Sequence, residues 1–454
     1  MIALSLTEIA AALSGELRGN NTNFTGVSTD TRTLKQGEFF VALKGDRYDG
    51  HDSLADAVKQ GAVGALLAKE CVTDIPYVLV QKTRPALGQL ARFWRNRYVL
   101  PVIGITGSNG KTSTKEITAA ILRERGAVLA TKGNLNNDIG VPLTLFGLAP
   151  THHAAVIEMG ANGPQDIAEL AEIACPTVGV VTMCGPAHLA GFGSIAKVAE
   201  AKGKLLQFLD SAGTAVINAD DQFCEYWRQI SRAGTLLTFG IEHPADYRAQ
   251  SIEQRPPGQG TQFELRSPLG TIVVTLPLDG RHNIYNALAA AAAAIAAGAS
   301  LENVKCGLAR APQVAGRLVL KKGVGGCQLI DDSYNANPAS LAAALAVLAQ
   351  VSGPRWLVLG DMGELGADEL AQHRDAGILA RVYGVERLLT LGKLAHAASE
   401  GFGPGGEHFQ EPAALVAALR ERVAPGVTLL IKGSRLMQME RIVGALAAPE
   451  ASAC

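Results

Sequence analysis

The residues of this chain best suited to chemistry begin with GITGSNGKTSTK, Gly104 to Lys115. The segment follows the apolar run VIGIT and opens the stretch KTSTKEITAAILRER, which carries Ile117 and Ile121 on one helical face. A glycine-rich turn between a strand and a helix is the setting of a phosphate-binding loop. Backbone N–H groups from Gly107 through Ser108 and Asn109 to Gly110 are expected to wrap phosphate oxygens, because glycine permits the dihedrals such a cradle needs. Lys111 stands where it would neutralise β- and γ-phosphates at the positive end of the helix. Thr112, with Ser113 beside it, would offer a hydroxyl to a magnesium ion. The spacing departs from the standard loop, since Ile105 occupies the place of the first glycine. An ordinary glycine-rich turn is the alternative, and ATP is the expected ligand.

These residues need elements to position them. AAVIE (Ala154 to Glu158), TVGVVT (Thr177 to Thr182) and TAVIN (Thr214 to Asn218) are continuous apolar runs, each followed by a helical stretch. Such strands predict a parallel sheet covered on both faces. Ligands of open α/β sheets bind at the carboxyl ends of the strands. Glu158 ends one strand and His188 lies in the loop after another, so both are expected on the edge that carries the phosphate loop. A carboxylate and an imidazole there could hold magnesium, directly or through water; a solvated strand-end Glu and a backbone-bonded loop His are the alternatives.

Upstream, Ser5 and Glu8 form a capping-box pattern, with Gly15 as the expected stop. GEFFVAL and YVLV read as strands, with a helix from His51 to Gln60 between them and another from Pro85 to Tyr98. Residues 247–278, rich in Gly, Pro and Thr, break the strand–helix rhythm and predict a β-hairpin excursion. A helix follows from His282 to Ala297. After Gln313–Arg317, taken as a hinge, CQLID, RWLVLGD, RLLTLG and VTLLIKG predict a second open α/β sheet. The boundaries fall at 1–99, 100–313 and 314–454.

A length of 454 residues fits about three domains. The net charge of −1 gives no bulk attraction to nucleic acid or an anionic membrane. The seven cysteines, Cys454 among them, include no C-x-x-C pair, so neither a disulfide framework nor a zinc cluster is indicated. The N-terminus lacks a basic leader, and the apolar run Ala287 to Ala297 is too short to span a bilayer. A cytoplasmic protein, not inserted in a membrane, is expected.

The phosphate-loop spelling is followed in order by GNLNND, EMG, HLAGFGS, AEAKGK, GRHNIYNALAA, GRL, DDSYNANPAS, LGDMGELG and KGSR. In this the chain resembles the Mur ligase family over nearly its whole length. VSTDTRTLKQGEFFVALKG and DGH, with DDSYNANPAS and LGDMGELG, are similar to the member that adds D-alanyl-D-alanine to UDP-N-acetylmuramoyl-tripeptide. The D-N-P-R motif of the diaminopimelate-adding member is absent. Folylpolyglutamate synthetase shares the ATP machinery but lacks the N-terminal UDP domain. The resemblance implies an α/β protein of three domains: a small mixed UDP-binding one, a central P-loop ATPase with a parallel sheet, and a Rossmann-like C-terminal one for the dipeptide.

It further implies ATP and two magnesium ions, with Thr112, Glu158 and His188 around the metals, and a carbamylated Lys202. Taken alone, Lys202 is one of several lysines on a helix. Asn283 and Asn286 would recognise adenine, although helix caps are the alternative. Arg317 and Asp332 would meet the nucleotide from the C-terminal domain, Asp332 at the ribose. Ser28, Arg32, Arg47 and His51 are the UDP-substrate candidates, and Asn335 and Asn337 are further substrate-binding candidates. Lys111, His188 and Lys202 form the catalytic set. The implied reaction activates the tripeptide carboxylate as an acyl phosphate before the dipeptide amine attacks. A monomer is expected. Another Mur-type ligase and a P-loop regulatory switch are the alternatives, and the third residue of the tripeptide, diaminopimelate or lysine, stays open.

Overall fold

The computed structural model describes residues 4–186 and 189–448. Its N-terminal part is a five-stranded sheet in the order Glu16–Arg18, Tyr77–Leu79, Gly64–Leu67, Phe39–Val41, Val27–Ser28, parallel except at its first pair. The capping box forms as expected: the Ser5 hydroxyl accepts from the Glu8 amide, and the Glu8 carboxylate accepts from the Ser5 amide at 2.8 Å. The stop differs. Ser14, not Gly15, takes the left-handed turn (φ 50°). Gly15 is instead where two elements touch, since a Cβ there would lie 2.8 Å from Val78 Cγ1.

The helix Thr83–Arg95 joins this part to the next. Leu87, Leu90, Ala91 and Trp94 on its inner face are buried in one hydrophobic core with Leu6 and Phe39 on one side and Val141, Leu145 and Leu170 on the other. The Arg95 guanidinium donates to the carbonyls of Ala174 (2.9 Å) and Cys175 (3.0 Å). No boundary of solvent separates the two parts along this helix.

The central sheet has nine strands. Five parallel strands form its heart, in the spatial order Thr214–Asn218, Val178–Val181, Val102–Thr106, His152–Glu158, Ala127–Ala130. Thr235–Gly240 and Tyr247–Gln254 extend it in parallel on the other side. The expected hairpin, Thr261–Ser267 with Gly270–Leu276, is present, but it prolongs this same sheet antiparallel rather than leaving it. The alanine run of the helix Arg281–Ala296 is fully buried from Ala287 to Ala294, and this helix packs on Lys111–Arg123. Small side chains let the two helices approach closely.

The C-terminal sheet has six strands in the order Val319–Lys322, Gln328–Asp332, Thr428–Lys432, Arg355–Gly360, Arg387–Leu391, Gly406–Phe409. All pairs are parallel except the first. The two edge strands were not anticipated. Val319–Lys322 and Gly406–Phe409 are four residues each and half exposed, so they lack the long apolar run that marks a central strand. Among the described residues no helix is long and apolar enough to cross a membrane.

Candidate active site

The phosphate loop leaves the strand Val102–Thr106 and enters the helix Lys111–Arg123. Its glycines are needed for space. A Cβ on Gly107 would lie 1.8 Å from Thr182 Oγ1, and one on Gly110 (φ 82°) 2.4 Å from Asn286 Oδ1. No side chain caps the helix, so the first-turn N–H groups of Lys111, Thr112 and Ser113 have no intrahelical acceptor. One expected donor is not available, however. The Ser108 N–H donates to the Met183 carbonyl at 2.9 Å, and the Ser108 hydroxyl is held at 3.0 Å by Gly185. The ladder between neighbouring parallel strands runs on past their ends here, as Thr182 N donates to Thr106 O. The anion cradle is therefore the helix end rather than the whole loop.

Lys111 Nζ donates to Gly107 O at 2.7 Å, folded over the loop. Burial pushes its pKa below the usual lysine range, against the pull of Glu158 and with the push of Arg317. Glu158, 2% exposed, ends the neighbouring strand in register with Ile105. Asn136 Nδ2 donates to its Oε1 at 2.8 Å, and the Glu158 amide donates to Thr131 Oγ1 at 3.0 Å. Among the described residues its second oxygen, Oε2, is buried with no hydrogen-bond partner. A buried carboxylate oxygen facing no donor is costly unless a cation meets it, and a hard oxygen is what magnesium takes. The site fits the metal on that ground. Lys202, on the helix Ile195–Phe208, is 2% exposed. Burial first, and the nearby Lys111 second, lower its pKa to about 7. His188 lies outside the described residues.

Two cavities meet at the loop, both lined by Asn109, Gly110, Thr112 and Arg317. The first, of about 580 Å³, is also lined by Ser113, Asn283, Asn286 and Asp332. The helix there begins at Arg281 with Gly280 as its cap, so the asparagines are not capping residues. They form a relay instead: Asn283 Nδ2 donates to Asp279 O (2.8 Å), Asn286 Nδ2 to Asn283 Oδ1 (3.0 Å), and Thr114 Oγ1 to Asn286 Oδ1 (3.3 Å). Asp332 is held at 2.5 Å by the buried Lys432. Lys432 also donates to Asn335 O at 2.8 Å, which fixes the loop between strand and helix.

The second cavity, of about 630 Å³, gathers Lys111, Glu158, Asn335 and Asn337. Asn337 caps the helix Pro338–Leu348 through Ser340 N and donates from Nδ2 to Asn109 Oδ1 at 2.9 Å. A C-terminal side chain thus grips the phosphate loop directly. Asn136, Thr131 and Lys432 were missed as site residues, although Asn136 and Lys432 lie within GNLNND and KGSR.

The four N-terminal candidates line neither of these cavities. The Ser28 hydroxyl donates to Asp30 O at 3.0 Å, and Arg32, largely exposed, pairs with Asp30 at 2.6 Å. Arg47 is exposed. His51 is buried and engaged at both ring nitrogens: Nε2 accepts the Ala68 N–H at 2.9 Å, so Nδ1 carries the hydrogen shared with Asp49 at 2.5 Å. In this arrangement His51 is committed to holding its own loop.

Three descriptions from one family match successive parts of the chain: "Mur ligase family, catalytic domain" over residues 23–95, "Mur ligase middle domain" over 105–294, and "Mur ligase, glutamate ligase domain" over 316–435. The chain belongs to the Mur ligase family. This Mur ligase is 44% identical over 450 residues to the UDP-N-acetylmuramoyl-tripeptide–D-alanyl-D-alanine ligase of Escherichia coli (strain K12), covering 98% of this chain and 99% of that one. Among solved structures it is similar to MurF from Acinetobacter baumannii, with a TM-score of 0.92 at 34% identity over 98% of both chains. It is also similar to a MurF ligase from Thermotoga maritima in complex with ADP, with a TM-score of 0.82 at 27% identity over 92% of this chain and 96% of that one. The Mur ligase described here shares their three-domain α/β architecture.

Proposed function

We propose that this chain is the ATP-dependent, ADP-forming ligase that joins D-alanyl-D-alanine to UDP-N-acetylmuramoyl-tripeptide, giving the pentapeptide precursor of peptidoglycan. The observation that carries this reading is the second cavity. There an uncapped helix end and Lys111 from the central sheet, the unpartnered oxygen of Glu158, and asparagines of the C-terminal sheet line one space. The full-length likeness to ligases named for this reaction supports the choice of substrates.

The division of labour follows the sheets. Residues 1–99 hold the UDP moiety, where the exposed Arg32 and Arg47 remain candidates. Residues 100–313 hold ATP, with adenosine in the first cavity against Asn283, Asn286 and Asp332. Residues 314–454 bring the dipeptide, with Asn335 lining its cavity and Asn337 tying that cavity's wall to the phosphate loop. The terminal carboxylate of the tripeptide attacks the γ-phosphorus, ADP leaves, and an acyl phosphate results. The dipeptide amine attacks its carbonyl, and phosphate departs. Carboxylate and phosphate repel, so the first step needs positive charge: Lys111 and the first-turn N–H groups supply it.

Thr112, Glu158, His188 and Lys202 would hold magnesium, which lowers the repulsion further when bound. Lys202 suits this role as a carbamate. With its pKa near 7 a large share is neutral amine at neutral pH, the form that adds carbon dioxide. The carbamate replaces a buried cation with an oxygen donor. The protein acts in the cytoplasm as a monomer.

Phosphate release tests the reading. It is expected to require ATP, UDP-tripeptide and D-alanyl-D-alanine together. ATP cleavage with neither partner present would make the chain a nucleotide switch instead.

A further inference from the structure

Four cationic side chains among the described residues line the second cavity: Arg84, Lys111, Arg317 and Arg435. A dipeptide that presents its amine to an acyl phosphate brings a carboxylate two residues behind, about 7 Å away at full extension. That carboxylate must keep a counter-charge when water leaves. Three of the four cations are committed. Lys111 folds over the phosphate loop. Arg317 stacks on Tyr334 at 4.3 Å and also lines the first cavity with Asn283 and Asp332, which puts it at the nucleotide partition. Arg84 is taken up by both oxygens of Asp138.

Arg435 differs. It follows the strand Thr428–Lys432 on a short turn, Arg435–Met437, and among the described residues its hydrogen bonding is from Nη1, donating to Glu440 Oε1 at 2.8 Å. Tyr334 lies beneath it, 6.0 Å from guanidinium to ring centre. One edge of the fork is anchored, and the other donors remain for a ligand. A guanidinium fork matches a carboxylate in two parallel hydrogen bonds. Beside it Leu436, also lining the cavity, is 86% exposed.

Resting on the ligase reading above, we infer that Arg435 receives the C-terminal carboxylate of the incoming dipeptide, with Leu436 against its methyl groups. The test compares D-alanyl-D-alanine with its C-terminal carboxamide in the full-length enzyme. The wild type is expected to prefer the acid by about 30-fold in kcat/KM, the worth of one charge-assisted contact. Arg435→Met should raise the KM for the acid by a similar factor, leave the carboxamide nearly unaffected, and leave the KM for ATP and UDP-tripeptide unmoved. Arg435→Lys should restore part of the preference, and unchanged ADP affinity by calorimetry checks the fold. A wild type that uses acid and carboxamide equally well overturns the assignment, whatever the variants do, and so does an Arg435→Met loss equal on both. Absence of any phosphate release by the wild type with tripeptide and dipeptide would instead remove the ligase reading itself.

Discussion

The central sheet has two borders, and they are built differently. Towards the N-terminus the helix Thr83–Arg95 runs through one unbroken hydrophobic core, and Arg95 donates across the border to backbone carbonyls. Towards the C-terminus the border is two cavities, bridged by polar contacts such as Asn109 with Asn337. An apolar core cannot open without exposing its area to water, whereas polar contacts exchange for water or ligand at little net cost. The first border is a joint that stays shut; the second is where parts can meet and separate. Chemistry that must admit three substrates and then exclude water belongs at the second.

The largest expected effect lies at the open border. Lys111→Ala removes the loop's cation and should lower turnover by at least about 10³-fold, comparable to losing a principal electrostatic donor. Stopped-flow phosphate release checks it, and a near-native rate would take the phosphate loop out of the mechanism. At the closed border the effect should be on stability. Leu90→Ala leaves a cavity in the shared core and should cost about 2–5 kcal/mol. Denaturation followed separately in the two parts should move both together. If only the N-terminal part melted earlier, the joint would not be the single unit described.

The open border was also the more legible in sequence, but unevenly. Gly107, Gly110, Lys111 and Glu158 were found because strand-end geometry is a rule of parallel sheets, independent of detail. Lys202, Asn283 and Asn286 stood out only through family resemblance, since a lysine on a helix and an asparagine near a helix start look like many others. The Asn109–Asn337 contact spans 228 residues and could not be read from either neighbourhood. Ser108 misled because nothing local says that its amide continues a strand ladder. In the N-terminal part the same polar types proved to serve turns: His51 and Ser28 hold backbone groups, as turn residues commonly do.

A pH profile should sharpen the chemistry at the open border. The Lys202 pKa is lowered to about 7, so the neutral amine dominates above that pH and the ammonium below it. If the carbamate forms from the amine, activity should fall as pH drops through 7, by about tenfold per unit well below it. Depleting carbon dioxide should lower activity at pH 7, and added bicarbonate should restore it. Activity indifferent to both would leave Lys202 as an unmodified buried lysine.

The smallest effect is the most direct test of the two borders. A chain of this length has a radius of gyration of about 22 Å when compact. Rotation of the C-terminal part alone would change it only slightly, whereas independent motion at both borders would broaden the whole distance distribution. Scattering from the free protein, then with nucleotide and both substrates, should therefore show a small contraction with the N-terminal and central parts fitting as one body. The hinge expected at Gln313–Arg317 lies between the last central helix, Leu301–Ala309, and the strand Val319–Lys322, where the chain has no regular element to resist bending. Asn337→Ala would loosen the grip on the phosphate loop and shift the free protein towards the expanded profile. A profile unchanged by ligands and by this substitution would mean that the polar border is as fixed as the apolar one, and that the cavities fill without any part of the molecule moving.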